Sequence, residues 1–253
     1  LDAGTTAYCA FATASSNKQK ITINFEDINL VGNNSDGAVA KIRGGAELNV
    51  KAGTVITGKN SYLGIENWKA TVNVFEGAEI YMNGTTSYNG CLIGVGGNGV
   101  VNVYGGYGKG VSGGLIAMTS GGTINVSGGE WIANTDGTYA NSNKSVLVAQ
   151  SDKQYNAGAG NAVVNVTGGT FKGGYNCYGN AVGDAQINIK GGNFNANPAS
   201  YVVAGYGSVE DNGIWTVAKA YDITEEGATI YSVAGMFWFA NEVNVNGNGF
   251  SGK

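Results

Sequence analysis

Histidine is absent from this chain, and proline and arginine occur once each, as Pro198 and Arg43. Without imidazole there can be no Ser-His-Asp or Cys-His site, and no zinc site that needs a histidine ligand. A single Arg leaves little for gripping phosphate or carboxylate bidentately. Charge is sparse too: 13% of the residues are charged, 14 basic against 18 acidic, for a net charge of -4. That sign repels a polyanion, so the expectation is no nucleic-acid partner. No run approaches the roughly 18 apolar residues of a membrane span. Cys9, Cys91 and Cys177 are an odd set that does not decide the redox compartment.

What is abundant is Gly, 44 of 253 residues or about 17%, roughly twice average usage. Asn follows, with 31. Collagen is excluded, because Gly does not recur every third residue and Pro is nearly missing. Disorder is excluded by 43% apolar and 10% aromatic residues. The chain opens on Leu1 without a charged-then-apolar leader and stops at Lys253 inside a patterned segment. It reads as a processed or recombinant piece of something longer.

One phrase keeps returning: apolar, Asn, apolar, two residues, Gly. It occurs around Asn49, Asn73, Asn102, Asn125, Asn165 and Asn188, with a degenerate first copy at Asn24. The steps are 25, 24, 29, 23, 40 and 23 residues. A base period of about 23–25 residues with occasional insertions predicts a β-solenoid. Within each period an apolar run such as Cys91–Val95 precedes the Asn phrase, and a second run such as Glu130–Ile132 follows it. Gly pairs punctuate the joins. The expected fold is all-β: a single-stranded parallel β-helix of about eight coils, three short strands per coil, right-handed as parallel crossovers are. Residues 1–217 make the helix with a terminal cap. The cap is a last partial coil and a hairpin turning at Asn212-Gly213. Residues 218–253 make a linker (Ala218–Gly227) and the start of a further module or short helical extension, with a helix expected within Ser232–Val243.

The repeat frame predicts side-chain positions. Each Asn lies between apolar neighbours that point inward, so the seven should form an outward column of amides bonded along the rod. An ice-binding array is disfavoured, because the regular Thr columns it needs are missing. Six residues after each Asn come Val55, Glu79, Gly108, Trp131, Phe171 and Phe194. The last three read as an inward aromatic stack. Cys91 and Cys177 each precede an Asn by 11 residues, which puts them at one point of their coils; Cys9 falls at the corresponding run of the first copy. Three coils, roughly 14 Å, separate each from the next, beyond disulfide reach. Three free, buried thiols are expected.

The phrases Ile124-Asn-Val-Ser-Gly-Gly-Glu-Trp131 and Val164-Asn-Val-Thr-Gly-Gly-Thr-Phe171 resemble adhesin-like parallel β-helix repeat surface proteins of gut bacteria. So does Asn197–Tyr206 leading to Gly213–Val217. The tail from Gly235 to Lys253 is similar to the lead-in to GLUG-type repeats. The resemblance covers about residues 40–253 and implies a secreted or cell-surface bacterial protein. It offers no catalytic motif to transfer.

Parallel β-helices also carry polysaccharide lyases, glycosidases and phage tailspikes. Glycoside hydrolysis needs two carboxylates on one groove, about 5–9.5 Å apart. The acidic residues, among them Glu47, Glu66, Glu76, Glu79 and Glu130, are scattered, and no catalytic, metal or cofactor motif stands out. The insertions are the better candidates, because loops carry binding on repeat scaffolds. By frame, Met82–Gly90 and Asn134–Lys144 leave one corner, offering Asn83, Tyr88, Asp136, Tyr139 and Asn141 to a shallow face. At the other corner Trp68 approaches Tyr155, in the insertion Ser151–Gly160. Aromatic faces beside amides and carboxylates suit carbohydrate. The resulting expectation is a non-catalytic, adhesin-like stalk or scaffold with glycan or host-protein contacts. The alternative is a carbohydrate-active enzyme or tailspike fragment.

Overall fold

Each Asn phrase is a strand, and each pairs in parallel with the next copy, Asn against Asn, throughout the column. A computed structural model describes residues 1–2, 9–14, 20–84, 90–118, 121–134, 145–150, 161–178, 185–223, 228–233 and 236–239. The fold is all-β, a parallel β-solenoid of about six turns. Its strands stack into three sheets. The first holds seven, from Phe11–Ala12 and Ala38–Arg43 to Tyr175–Tyr178, and the second, the Asn sheet, holds seven from Thr22–Phe25 to Gln186–Ile189. The third runs from Asn29–Gly32 through Glu79–Met82, Tyr107–Gly110 and Glu130–Ala133 to Gly192–Phe194, then continues with antiparallel strands.

The stack is shorter than the eight coils expected, because the segment after Asn188 winds only a fragment of another turn. Ile189 bridges Val202 in parallel beside a single 3-10 turn, Ala199–Tyr201, entered through Pro198. The chain then forms the hairpin Tyr206–Asp211 with Ile214–Ile223, and the second strand pairs antiparallel with Gly192–Phe194. Asn212 (φ 51°) and Gly213 (φ 81°) turn it, as two positive-φ residues in a tight hairpin must. The boundary at 217 is not a break in secondary structure. Ile214–Ile223 runs through it, and Ala228–Val233 and Met236–Phe239 extend the sheet antiparallel, so a strand stands where a helix was expected. Val, Ile, Tyr, Phe and Trp dominate these runs, and such residues favour the pleated sheet over the helix.

Inside the solenoid, column follows column. Leu48, Val72, Val101, Ile124 and Val164 are fully buried on the inner face of the Asn sheet. In the third sheet Gly108, Trp131, Phe171 and Phe194 share one inward column, and the three rings are at most 1% exposed. The rings of Phe171 and Phe194 stack at 5.1 Å and 13°. Gly108 is what lets Trp131 in: a Cβ there would stand 2.6 Å from the indole ring. The first sheet is buried on its outer side too, where Ala38, Leu63, Cys91, Ile116 and Val148 form a separate apolar cluster.

Cysteine positions depart from the frame. None of the three cysteines is in a disulfide, but only Cys91 is buried, Cys9 and Cys177 being half-buried. Nor do Cys91 and Cys177 share a register point: Cys177 pairs with Ala149, which pairs with Ala117, which pairs with Val95. Counting back from Asn fails there because the corner between first and second sheets spans 97–98 in one turn and 179–185 in the other.

The Asn column is bonded as expected. Each Asn from 49 to 188 donates its Nδ2–H to the Oδ1 of the Asn one turn before it, at 2.9–3.1 Å. Asn125→Ala removes one donated and one accepted bond and strands a partly buried partner on each side. The expected loss is about 2 kcal/mol. Thr123→Ala, two residues away on the same outer face, should stay within about 0.5 kcal/mol. Paired urea melts measure both; equal midpoints would contradict the load assigned to the ladder.

Candidate functional site

The corner between the second and third sheets changes length along the rod. Four residues (51–54, then 75–78) join the strands in the turns of Asn49 and Asn73. Three (104–106, 127–129, 167–169) suffice from the turn of Asn102 onward. The wide corners carry side chains at Lys51 and Phe75-Glu76, whereas the narrow ones close on Gly-Gly. Gly106, Gly129 and Gly169 take φ of 94°, 87° and 103°, where a Cβ would strain the backbone. A step is left where wide meets narrow, and a cleft of about 330 Å³ sits in it, between Glu76, Glu79, Tyr107 and Glu130 over a floor of Ala78, Gly106 and Gly129.

The third sheet supplies one wall. Glu79, Tyr107 and Glu130 occupy one outward register column, so the two carboxylates are two rungs apart with a phenol between them. Tyr81, Lys109 and Ile132 form the next outward column. Glu76 forms the step itself and accepts a hydrogen bond from the Gly106 N–H at 3.2 Å. Only glycine fits beneath it, because a Cβ on Gly105 would run into the Glu76 carboxylate. At the rim Phe75 and Tyr104 stack at 5.3 Å and 26°, with Tyr104 55% exposed. The rings of Tyr81 and Tyr107 lie 5.8 Å apart.

Both carboxylates of the column are held. The Tyr81 hydroxyl donates to Glu79 Oε2 at 2.7 Å, and Lys172 Nζ donates to Glu130 Oε1 at 2.7 Å. The bond to Glu79 pushes the Tyr81 phenol up from 10.0 to about 12, helped by burial and the carboxylate's charge. The bond to Glu130 likewise raises Lys172. The neutral phenol is the form Glu79 favours. Its contribution is therefore complete below pH 10.0 and lost as pH rises toward about 12. In an ultraviolet titration Glu79→Gln should bring one tyrosine back toward the ordinary value. An unchanged titration curve would show that the bond does not form.

Two of the residues predicted from the sequence, Trp68 and Asn83, lie among the described residues, at separate places as expected. Of the seven ligand-binding candidates, Tyr88, Asp136, Tyr139, Asn141 and Tyr155 lie outside the described residues. Met82, Gly110 and Ala133 stand in register, so the segments following Met82 and Ala133 do leave one corner. Asn83 is exposed there. Trp68 is at the far end of the first-sheet strands, packed against Gly97 and beside Arg43, and does not meet Asn83. Asn67 next to it is fully buried and bonds Ala70 and Val100, a structural role. Three register steps separate Asn67 from Ala149, near the start of the insertion that holds Tyr155.

What sequence reading missed is the step. Its signal was present: six residues past the Asn comes an outward residue in the early turns (Val55, Glu79) but an inward one later (Trp131, Phe171). That one-residue slip is the lost corner residue. Among the described residues no three His, Cys, Asp or Glu side chains converge as metal ligands, and no helix is long and apolar enough to cross a membrane. The chain matches no protein-family model, no curated protein and no solved structure.

Proposed function

We propose that this chain is a non-catalytic module of a bacterial surface protein, secreted or displayed outside the cell, adhesin-like, with each turn a right-handed winding of three short strands. Its function is to present a glycan-binding site on a stiff rod. The observation that carries this reading is the notch at the corner step. A phenol and three carboxylates line a cleft of sugar-binding scale, and the stacked pair of Phe75 and exposed Tyr104 flanks its lining residues in the chain. Aromatic faces take the C–H face of a sugar, and carboxylates accept from its hydroxyls. Contact with a host protein would use the same outward surface.

A glycan array probed with the intact chain and with Tyr107→Ala tests this. Wild type should bind one or more sugar classes, and the variant should lose at least about tenfold, the equivalent of 1.4 kcal/mol. No signal from wild type sinks the reading.

A second reading, a glycoside hydrolase, draws support from Glu79 and Glu130 sharing one cleft. Against it stands that both carboxylates are already engaged, Glu130 by Lys172 and Glu79 by the Tyr81 hydroxyl. Release of new reducing ends by wild type, abolished in Glu130→Gln, would establish the enzyme instead.

A further inference from the structure

The notch has one closed side and one open side. Toward the N-terminus the adjoining corner, 51–54, is equally wide and leaves no gap, Gly77 lying against Ala52; only the first corner, 26–28, is narrow again. Glu76 and Gly77 therefore stand as a wall across the edge of the rod. Toward the C-terminus the edge is Gly105-Gly106, Gly128-Gly129, Gly168-Gly169 and Gly191-Gly192, one pair per turn. Tight stacking demands these glycines. A Cβ on Gly128, Gly168 or Gly191 would strike the carbonyl of Tyr104, Ser127 or Thr167 in the corner before it. The by-product is a lane without Cβ atoms, half-exposed at Gly128-Gly129, Gly168-Gly169 and Gly192 and buried at Gly105, Gly106 and Gly191.

Polar side chains border the lane. On one flank are Ser127 and Thr167, both exposed, whose hydroxyls donate to backbone carbonyls of the previous turn and keep their lone pairs for an incoming donor. On the other flank are Glu130, Thr170 and Asn193, in one register column. The lane also ends. The capping strand pairs against Gly192–Phe194, and Thr216 Oγ1 donates to Asn193 Oδ1 at 3.0 Å. From Tyr107 to Asn193 is three rungs, about 14 Å at roughly 4.8 Å per rung.

We infer that the site takes the end of a linear glycan chain: the terminal sugar sits in the notch against Glu76, and the next few units lie along the glycine lane toward the cap. This rests on the glycan reading above and adds to it an orientation, a terminus and a length. A floor of backbone with hydroxyls on one flank, and carboxylate, hydroxyl and amide groups on the other, matches the alternating hydroxyls of a sugar chain. A wall at one end and a strand at the other set how many units can be held.

The test is a length series. Malto-, cello-, xylo- and chito-oligosaccharides of one to six units are titrated calorimetrically into wild type and into Thr167→Arg. That substitution lies at an exposed corner position and puts a long side chain beside the lane without touching the notch. In the series that binds, affinity should rise at least about tenfold over the first three or four units and then level off. Thr167→Arg should erase that gain and leave the single sugar unaffected. Affinity that climbs steadily to six units, or a gain indifferent to Thr167→Arg, overturns the inference while the glycan reading stands. Binding by none of the four series overturns both.

Discussion

Phe171→Ala is expected to destabilise the solenoid by about 4 kcal/mol, the upper range for emptying a fully buried aromatic position. Phe171 is 0% exposed and sits between Trp131 and Phe194 in the inward column. Its ring stacks on Phe194, so the variant loses an aromatic pair as well as apolar burial. The neighbours cannot close the gap. Trp131 is tied by its Nε1–H to the Gly128 carbonyl at 3.1 Å and is roofed by Gly108, which brings no side chain. Phe171→Leu, which keeps most of the volume, should cost distinctly less. Urea unfolding followed by tryptophan fluorescence and by far-ultraviolet circular dichroism measures this. Two probes are needed because repeat arrays can melt in parts. A midpoint equal to wild type would mean that the column is not the core of those turns.

The second large effect is electrostatic. Glu66 sits between the only Arg and a buried Lys, 2.7 Å from Arg43 Nη2 and 3.1 Å from Lys41 Nζ. The Lys41 side chain is 9% exposed and that of Glu66 16%. Glu66→Gln keeps the shape and removes the charge, leaving the nearly buried Lys41 without this carboxylate and beside Arg43, whose side chain is 37% exposed. Breaking such a pair from one side costs about 3 kcal/mol, because the charge left behind remains desolvated. The internal control is the pair of Lys51 with Glu26, whose side chains are 39% and 60% exposed. Glu26→Gln should change stability by no more than about 0.5 kcal/mol. Equal losses from the two substitutions would contradict the distinction drawn between them.

Much of the architecture was legible because the solenoid repeats its reasons. An Asn flanked by apolar residues, returning at a near-constant period, specifies both a strand and its stacking partner. The Asn column and the Trp131–Phe171–Phe194 stack follow from that alone. The ends were harder. At Ile214–Ile223 the period stops, and a hairpin strand and a linker share the same mixed composition until pairing decides. For Met236–Phe239 an aromatic run was compatible with a helix, and the waiting sheet edge settled it as a strand. The cysteine register failed for a related reason. The frame is anchored at Asn, and error accumulates across any corner whose length varies.

The candidate site was hidden by the same variability. Glu76, Glu79 and Glu130 lie 3 and 51 residues apart in sequence and read as scattered surface charge, yet the register and the shortened corner gather them around Tyr107. Insertions draw attention because they lengthen the period. A deletion of one residue is nearly invisible in the period, though it leaves a notch on the surface.

The most direct test of the glycan reading is a footprint in solution. Backbone amide resonances of the ¹⁵N-labelled chain are followed while the tightest-binding oligosaccharide is added. The account predicts the largest shifts at Gly106, Tyr107, Gly129 and Glu130, smaller ones along Gly168-Gly169, and none at Trp68. Shifts centred on Trp68, or no saturable shifts at the notch, would contradict it.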